Sequence, residues 1–317
     1  MIKKNLMKNN SKILILGSSG MVGSSFVRIF KKKNYKRILS PKRNQLNLLN
    51  FSKVKNYISK NKPDIVIIAA AKVGGINANN LNKANFLYEN LEIQNNIIYS
   101  CHLSNIKELL FLGSSCVYPK YAKQPIEEKS LLTGALETTN EAYSLAKISG
   151  IKLCEYIKNE YKNRNYISVM PSNLYGPNDN YDLKNSHVLP ALMKKIYNAK
   201  NSKLKQIVLW GSGKPKREFL YVDDLVEACI LILKKKYNGS LINIGTGEET
   251  SIKKLAIKIM EIMDINLIIK YDASFPDGTP RKVLNVDKIF KLGWKPKVSL
   301  QKGIKKIYEE KFKKNKK

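Results

Sequence analysis

The apolar run Lys12-Ile13-Leu14-Ile15-Leu16 stops at Gly17, and an amphipathic stretch from Met21 to Lys33 follows. Between them lies Gly17-Ser18-Ser19-Gly20-Met21-Val22-Gly23. Few folds admit a short buried strand that turns through glycines straight into a helix. The glycines permit a tight turn, close approach of a pyrophosphate to the backbone, and packing of helix on strand. The helix N-terminus adds amide donors and the positive end of its dipole. In this strand-turn-helix context the run reads as a dinucleotide cradle.

The same alternation continues along the chain. Arg37-Ile38-Leu39-Ser40 is a predicted second strand, Val54 to Lys60 a helix, and Pro63-Asp64 introduces a third strand, Ile65 to Ala69. A long helix is predicted over Ala84 to Leu103, a strand over Leu109 to Leu112, a helix over Glu141 to Tyr161, and a strand over Tyr166 to Met170. Strands alternating with helices of this length imply right-handed crossovers and a parallel sheet. After Asn173-Leu174-Tyr175-Gly176-Pro177 the alternation becomes irregular. Gly211-Ser212-Gly213-Lys214-Pro215 and Pro276-Asp277-Gly278-Thr279-Pro280 read as binding loops rather than strands. Val222 to Leu233 and Leu241 to Gly245 read as one more helix and strand that return to the first sheet. A discontinuous second domain over the carboxyl ends of the strands would leave a cleft between the two.

Composition excludes several classes. No apolar run reaches membrane-spanning length, and Met1 to Ser11 is Lys/Asn-rich without the apolar core of a secretory signal, so it reads as a ragged leader. The four cysteines, Cys101, Cys116, Cys154 and Cys229, stand apart, and there are only two histidines. Neither a zinc cage nor a disulfide framework is implied, and a reducing cytoplasm is the expected setting. The formal charge of +32 raises nucleic-acid binding as an option. Lysines are spread over the whole chain, densest at Lys311 to Lys317, without the aromatic interleaving of a stacking platform. Composition explains the charge better, and the field would still gather an anionic substrate.

Tyr143-Ser144-Leu145-Ala146-Lys147 places a tyrosine and a lysine four apart on one helix face. A free phenol titrates near ~10. An ammonium about 4 Å away at an effective dielectric of ~20 would favour the phenolate by roughly 4 kcal/mol, moving it towards neutral pH. With Ser114 as a donor to a carbonyl oxygen, these residues can pass a proton to a ketone while a nicotinamide reduces it. Cys116, two residues from that serine, is not needed for such a reduction and suggests a second reaction. For the cofactor, Ser40-Pro41-Lys42-Arg43 carries no carboxylate to hold a ribose 2′-hydroxyl but does carry cations. That favours NADP, with the Arg43 fork on the 2′-phosphate.

These residues resemble the extended short-chain dehydrogenase/reductases. A narrower likeness follows from Ala69 to Ile76, Leu112 to Pro119, Met170 to Pro177, Asn185 to Pro190, Trp210 to Gly213, Arg217 to Leu220 and Pro276 to Lys282. They are similar to the GDP-L-fucose synthase family over about residues 11 to 310. The resemblance implies an α/β fold, a Rossmann-like doubly wound parallel sheet with a smaller, discontinuous α/β substrate-binding domain. Residues 1–174 and 221–250 would bind NADP, and 175–220 and 251–317 the GDP-sugar. It further implies NADPH as reductant, GDP-4-keto-6-deoxy-D-mannose as substrate, inversion at carbons 3 and 5, then reduction at carbon 4. A homodimer built through the Tyr143 helix is expected, with no nucleic-acid or membrane partner.

By the same resemblance the catalytic residues are Ser114, Cys116, Tyr143, Lys147 and His187, with Cys116 as base and His187 as acid. The cofactor would lie against the 17–23 turn (Gly17, Ser18, Ser19, Gly20, Met21, Val22, Gly23), Arg43, Leu46, Asn47, Leu48, Ala70 and Ala71. It would also meet Leu112, Gly113, Ser114, Ser115, Lys147, Pro171, Ser172, Asn173, Leu174 and His187. Lys195, Trp210, Arg217 and Asp277 would contact the GDP-sugar. Lys195 departs from the arginine more common in the family, which keeps the charge and loses the fork. His102, at the end of a long helix, reads as a packing residue. The rival readings are another NAD(P)-dependent nucleotide-sugar epimerase or dehydratase, and a non-catalytic RNA-binding Rossmann protein. A dehydratase would be expected to show an Asp-Glu pair where this chain has Ser115-Cys116.

Overall fold

The computed structural model describes residues 7–183, 185–235, 237–275 and 277–313. Residues 1–6 of the leader, the last four positions of the lysine-rich tail and Pro276 lie outside the described residues. Strand β1 (Lys12–Leu16) runs through the glycine turn into α1 (Met21–Lys32), whose Phe26, Ile29 and Phe30 are buried. Lys31 and Lys32 close that helix, where cations complement its dipole. Then come β2 (Arg37–Leu39), α2 (Phe51–Asn61), β3 (Ile65–Ile68), α3 (Ile76–Leu81), α4 (Lys83–Leu103) and β4 (Glu108–Leu112). Helix α5 (Glu141–Glu160) and β5 (Asn165–Pro171) complete the first run. The predicted elements of this half all form, with ends shifted by a few residues. Asn50 caps α2 by accepting from the Lys53 amide, which starts that helix before its predicted position.

The chain then leaves the main sheet. Strand β6 (Asn173–Tyr175), α6 (Val188–Asn201), β7 (Gln206–Trp210), β8 (Lys216–Arg217) and β9 (Phe219–Tyr221) precede α7 (Val222–Lys235). Strand β10 (Leu241–Ile244) returns to pair with β5, as expected from the sequence. Beyond it lie β11 (Thr250–Ser251), α8 (Ile252–Met263), β12 (Ile268–Asp272), β13 (Arg281–Lys282), α9 (Asp287–Lys291) and α10 (Leu300–Ile307).

Six strands form the main sheet in the order β10-β5-β4-β3-β1-β2, all parallel. Its inner strands β3 and β4 are buried at every residue, the pattern of a sheet covered on both faces. The order reverses at β1, which pairs β2 on one side and β3 on the other. Connections from β1 and β3 therefore diverge, and a crevice opens at their carboxyl ends.

A second core lies beneath the later elements. Leu189, Leu192, Met193 and Ile196 of α6 face Leu255, Ala256, Ile259 and Met263 of α8, with Ile304 and Ile307 of α10. Their three- and four-residue spacing makes one apolar stripe per helix. Strands β7 and β12 pair in parallel beside it, an arrangement the sequence reading left as irregular. Leu284, Val286, Ile289 and Trp294 pack instead against the core of the main sheet. Among the described residues no helix is long and apolar enough to cross a membrane.

Candidate active site

A cleft of about 1280 Å³ runs from the β1/β3 crevice to the loops beside β7 and β13. At its first end, Gly17 has φ 89, and a Cβ there would come within 2.5 Å of the Ala70 amide nitrogen. Only glycine allows the two strand-end loops to approach so closely. Gly23 does not line the cleft; a Cβ on it would meet the Gly17 carbonyl oxygen at 2.1 Å, so it serves the seating of α1. No side chain caps α1, and no acidic residue lies in its first turn, which keeps its amides available to an anion. Ser18 donates to the Ser40 carbonyl at 3.2 Å and holds the loop after β2 at this mouth. Arg43 is exposed and lines the same mouth with Leu46, Asn47 and Leu48. Deeper in, the buried Ser172 hydroxyl has no partner in the protein and borders the cleft. A phosphate-sized turn, a free helix end, a cation at the rim and a spare hydroxyl together fit an NADP-type dinucleotide.

Past the crevice, Ser114 begins a short 3₁₀ turn over Ser115–Val117, and its Oγ accepts the Cys116 amide at 3.2 Å. Ser144 donates to the Cys116 carbonyl at 2.9 Å, tying that turn to the residue next to Tyr143. Helix α5 then presents Tyr143 and Lys147 into the same space. Lys147 is 2% exposed, donates to the Leu112 carbonyl at 2.8 Å, and lies over the rings of Phe111 and Tyr143 at 4.6 and 5.8 Å.

The electrostatics here differ from the sequence expectation. Burial pushes the Tyr143 phenol up, the neighbouring Cys116 sulfur adds to this, and hydrogen bonding with Ser114 opposes it. Burial drives Lys147 down to about 7. The reason is placement: the lysine nitrogen sits over the tyrosine ring and against a backbone carbonyl, and desolvation outweighs a through-space pairing of charges. Tyr143 is therefore a protonated phenol, the state required to give a proton to a forming alkoxide.

His187 is the N-cap residue of α6 and reaches the cleft from the opposite lobe. Burial by the surrounding protein, reinforced by the charge of Lys282, pushes its imidazole down. At the far end, Lys195 donates to the Val208 carbonyl at 2.7 Å and lies over Trp210 at 5.5 Å. Trp210 is 45% exposed and stacks on Phe275 with centroids 4.2 Å apart and planes at 5°. Asp277 turns both carboxylate oxygens to Ser212, accepting its amide and its hydroxyl at 2.7 Å each. Arg217 reaches the Asp277 carbonyl at 3.4 Å and the Lys216 carbonyl at 2.9 Å.

Apart from Gly23, the candidate residues of the sequence reading all border this one cleft. His102 does not; it sits between the rings of Tyr99 and Tyr161, as a packing residue would. The cleft is also lined by residues for which the sequence suggests no role, Glu137, Phe275 and Lys282 among them. Lys282 ends the Pro276 to Lys282 motif, but its neighbours in space have no signature in the sequence. Among the described residues no cluster of side chains could hold a metal ion.

Comparison with known proteins agrees with this site. Residues 13–245 match the NAD dependent epimerase/dehydratase family. The chain is 46% identical over 300 residues to a GDP-L-fucose synthase of Arabidopsis thaliana, covering 95% of this chain and 93% of the relative. It is 44% identical over 310 residues to the GDP-L-fucose synthase of Escherichia coli K12, covering 95% and 96%. An NADP-bound GDP-mannoheptose C4 reductase from Campylobacter jejuni superposes with a TM-score of 0.86 at 34% identity, covering 96% and 98%. The chain belongs to the NAD dependent epimerase/dehydratase family, and its likeness there is to the GDP-L-fucose synthases.

Proposed function

We propose that the protein is a GDP-L-fucose synthase, which epimerises GDP-4-keto-6-deoxy-D-mannose at carbons 3 and 5 and reduces its ketone at carbon 4. The observation that carries this reading is the meeting of Ser114, Cys116, Tyr143, Lys147 and His187 in one cleft, in a chain 44% identical to a named GDP-L-fucose synthase. Carbons 3 and 5 flank the ketone, so each bears an acidic proton once the enolate oxygen is stabilised. Ser114 and Tyr143 donate to that oxygen. The Cys116 thiolate takes the proton, and His187 delivers one to the opposite face. Burial and the Lys282 charge push its imidazole down, so the charged form is a stronger acid but the less populated one near neutral pH. NADPH, when bound, supplies the hydride for the reduction. Tyr143 then gives its proton to the carbon-4 oxygen, and Lys147 holds the phenol's ring from beneath.

Residues 17–22, Arg43, Leu46 to Leu48, Ala70, Ala71, Leu112 to Ser115, Pro171 to Leu174, Lys147 and His187 would hold the dinucleotide. Lys195, Trp210, Arg217 and Asp277 would hold the GDP-sugar. Residues 1–174 with 221–250 would form the cofactor domain and 175–220 with 251–317 the sugar-nucleotide domain, save that Leu284, Val286, Ile289 and Trp294 pack on the core of the former. A cytoplasmic homodimer completes the reading; exposed Tyr88, Tyr99, Leu145 and Tyr156 on α4 and α5 support such a face. Light scattering after gel filtration measures that state.

The decisive experiment supplies purified protein with GDP-4-keto-6-deoxy-D-mannose and NADPH and resolves the sugar product. GDP-L-fucose is expected, and no turnover would overturn the assignment. The likeness to a C4 reductase favours one second reading, reduction without epimerisation. It would yield a product with carbons 3 and 5 uninverted.

A further inference from the structure

No cation neighbours Cys116 in sequence, yet one stands beside it in space. Lys282 Nζ donates to Cys116 Sγ at 3.5 Å, across 166 residues of chain. Its mounting is firm. Strand β13 pairs with β8 in parallel, placing Lys282 opposite Arg217. The following residue is clamped on both backbone groups: Val283 N–H donates to Gln124 Oε1 at 3.0 Å, and Ile126 N–H donates to the Val283 carbonyl at 2.8 Å. Leu284 N–H donates to Glu218 Oε2 at 2.8 Å. These clamps fix where the Lys282 side chain starts, and from there its ammonium reaches the sulfur. An ammonium within hydrogen-bond reach of a sulfur stabilises the thiolate over the thiol, and the thiolate is the form that accepts a proton from carbon.

We propose that Lys282 is a catalytic residue of the epimerisation, its ammonium holding Cys116 as the thiolate base. This rests on the reading of Cys116 as that base. In the step, a sulfur lone pair takes the proton from carbon 3 or 5, the C–H electron pair becomes the enolate, and S–H forms. Protonation of the enolate by the imidazolium of His187 forms the new C–H bond and leaves neutral imidazole. Solvent removes the sulfur's proton and recharges the imidazole. Lys282 remains an ammonium throughout and changes no bond. It acts by favouring the charged sulfur before transfer and by restoring it afterwards.

The other ionisable groups about the sulfur are Arg217 from β8 and Tyr143 from α5. Glu137 faces Arg217, and His187 faces Lys282. Arg217 spends its guanidinium donors on the Lys216 and Asp277 carbonyls, so Lys282 makes the direct hydrogen bond to sulfur. The other three cysteines are buried.

That difference in exposure allows a test on the full-length protein without substrate. Alkylation by iodoacetamide, followed at the Cys116 peptide by mass spectrometry, should be about tenfold slower at pH 7 in Lys282→Met than in wild type. Lys282→Arg keeps the charge and should stay within about threefold. Equal alkylation rates in wild type and Lys282→Met would overturn the pairing. A second arm measures deuterium uptake from solvent at carbons 3 and 5 of GDP-4-keto-6-deoxy-D-mannose. Lys282→Met should lose about tenfold there as well, with recovery in Lys282→Arg; undiminished uptake in Lys282→Met would overturn the catalytic role. A wild-type protein that labels no such sugar, with the alkylation difference intact, overturns the substrate assignment and leaves the thiolate pairing standing.

Discussion

Glu218 and Leu284 are joined by a hydrogen bond of 2.8 Å from the Leu284 amide to Glu218 Oε2, while Glu218 Oε1 accepts the amides of Thr246 and Gly247. One carboxylate, 0% exposed, thus pins the segments after β10 and after β13 to the junction of β8 and β9. Desolvation raises its pKa, and the three amides oppose that rise. Glu218→Gln turns one oxygen into a donor facing a donor. It should cost about 1–3 kcal/mol in urea unfolding at neutral pH, and an unchanged midpoint would show the clamp to be idle.

Cys116→Ser puts a hydroxyl of similar size in place of the thiol in the 3₁₀ turn and removes the thiol's acidity. Deuterium uptake from solvent at carbons 3 and 5 should fall by about a hundredfold or more, as for loss of a general base. NMR of the recovered sugar reads it directly, and wild-type uptake would remove Cys116 as base.

Arg43 is an exposed cation at the dinucleotide mouth, in a Ser40-Pro41-Lys42-Arg43 loop that carries no carboxylate to oppose a 2′-phosphate. Arg43→Ala should weaken NADPH binding by roughly tenfold to a hundredfold and leave NADH binding nearly unchanged. Fluorescence titration of both nucleotides checks this. Parallel losses for the two would assign Arg43 to the pyrophosphate or to neither.

Lys147 supplies a pH dependence with a definite sign. Its folded value is about 7 against an ordinary 10.5. Between these, the unfolded chain holds a proton that the folded chain does not, so raising the pH through this window favours the folded state. Relative to Lys147→Met, the wild type should gain about 2 kcal/mol of unfolding free energy from pH 7 to pH 9. Equal pH slopes in the two proteins would show that Lys147 stays charged in the fold.

The sheet and the dinucleotide cradle were legible because their signals are local. Buried parallel strands read as unbroken apolar runs such as Ile65 to Ile68, and Gly17 sits where the backbone must take φ 89. The second lobe was less legible. Strand β7 alternates buried and exposed residues, but its partner β12 buries none of its five residues and follows only after two further helices. The charge state of the site was the hardest part. Spacing placed Lys147 on the face of Tyr143, yet whether it meets the oxygen or the ring depends on the Leu112 carbonyl, which attracts its nitrogen. Lys282 reaches Cys116 through strand pairing and three clamps, none of which has a one-dimensional signature.

The stack of Phe275 on Trp210 has its own consequence for affinity. A planar ring that settles on that face must take the place of one already there. Stacking then contributes only the difference between two similar contacts, each on the order of 1 kcal/mol beyond its buried area. Discrimination among bases must come from hydrogen bonds at the ring edge, and departure of the ligand is assisted by the returning phenylalanine. If the GDP-sugar meets Trp210 as proposed, that indole would serve as an exchange surface.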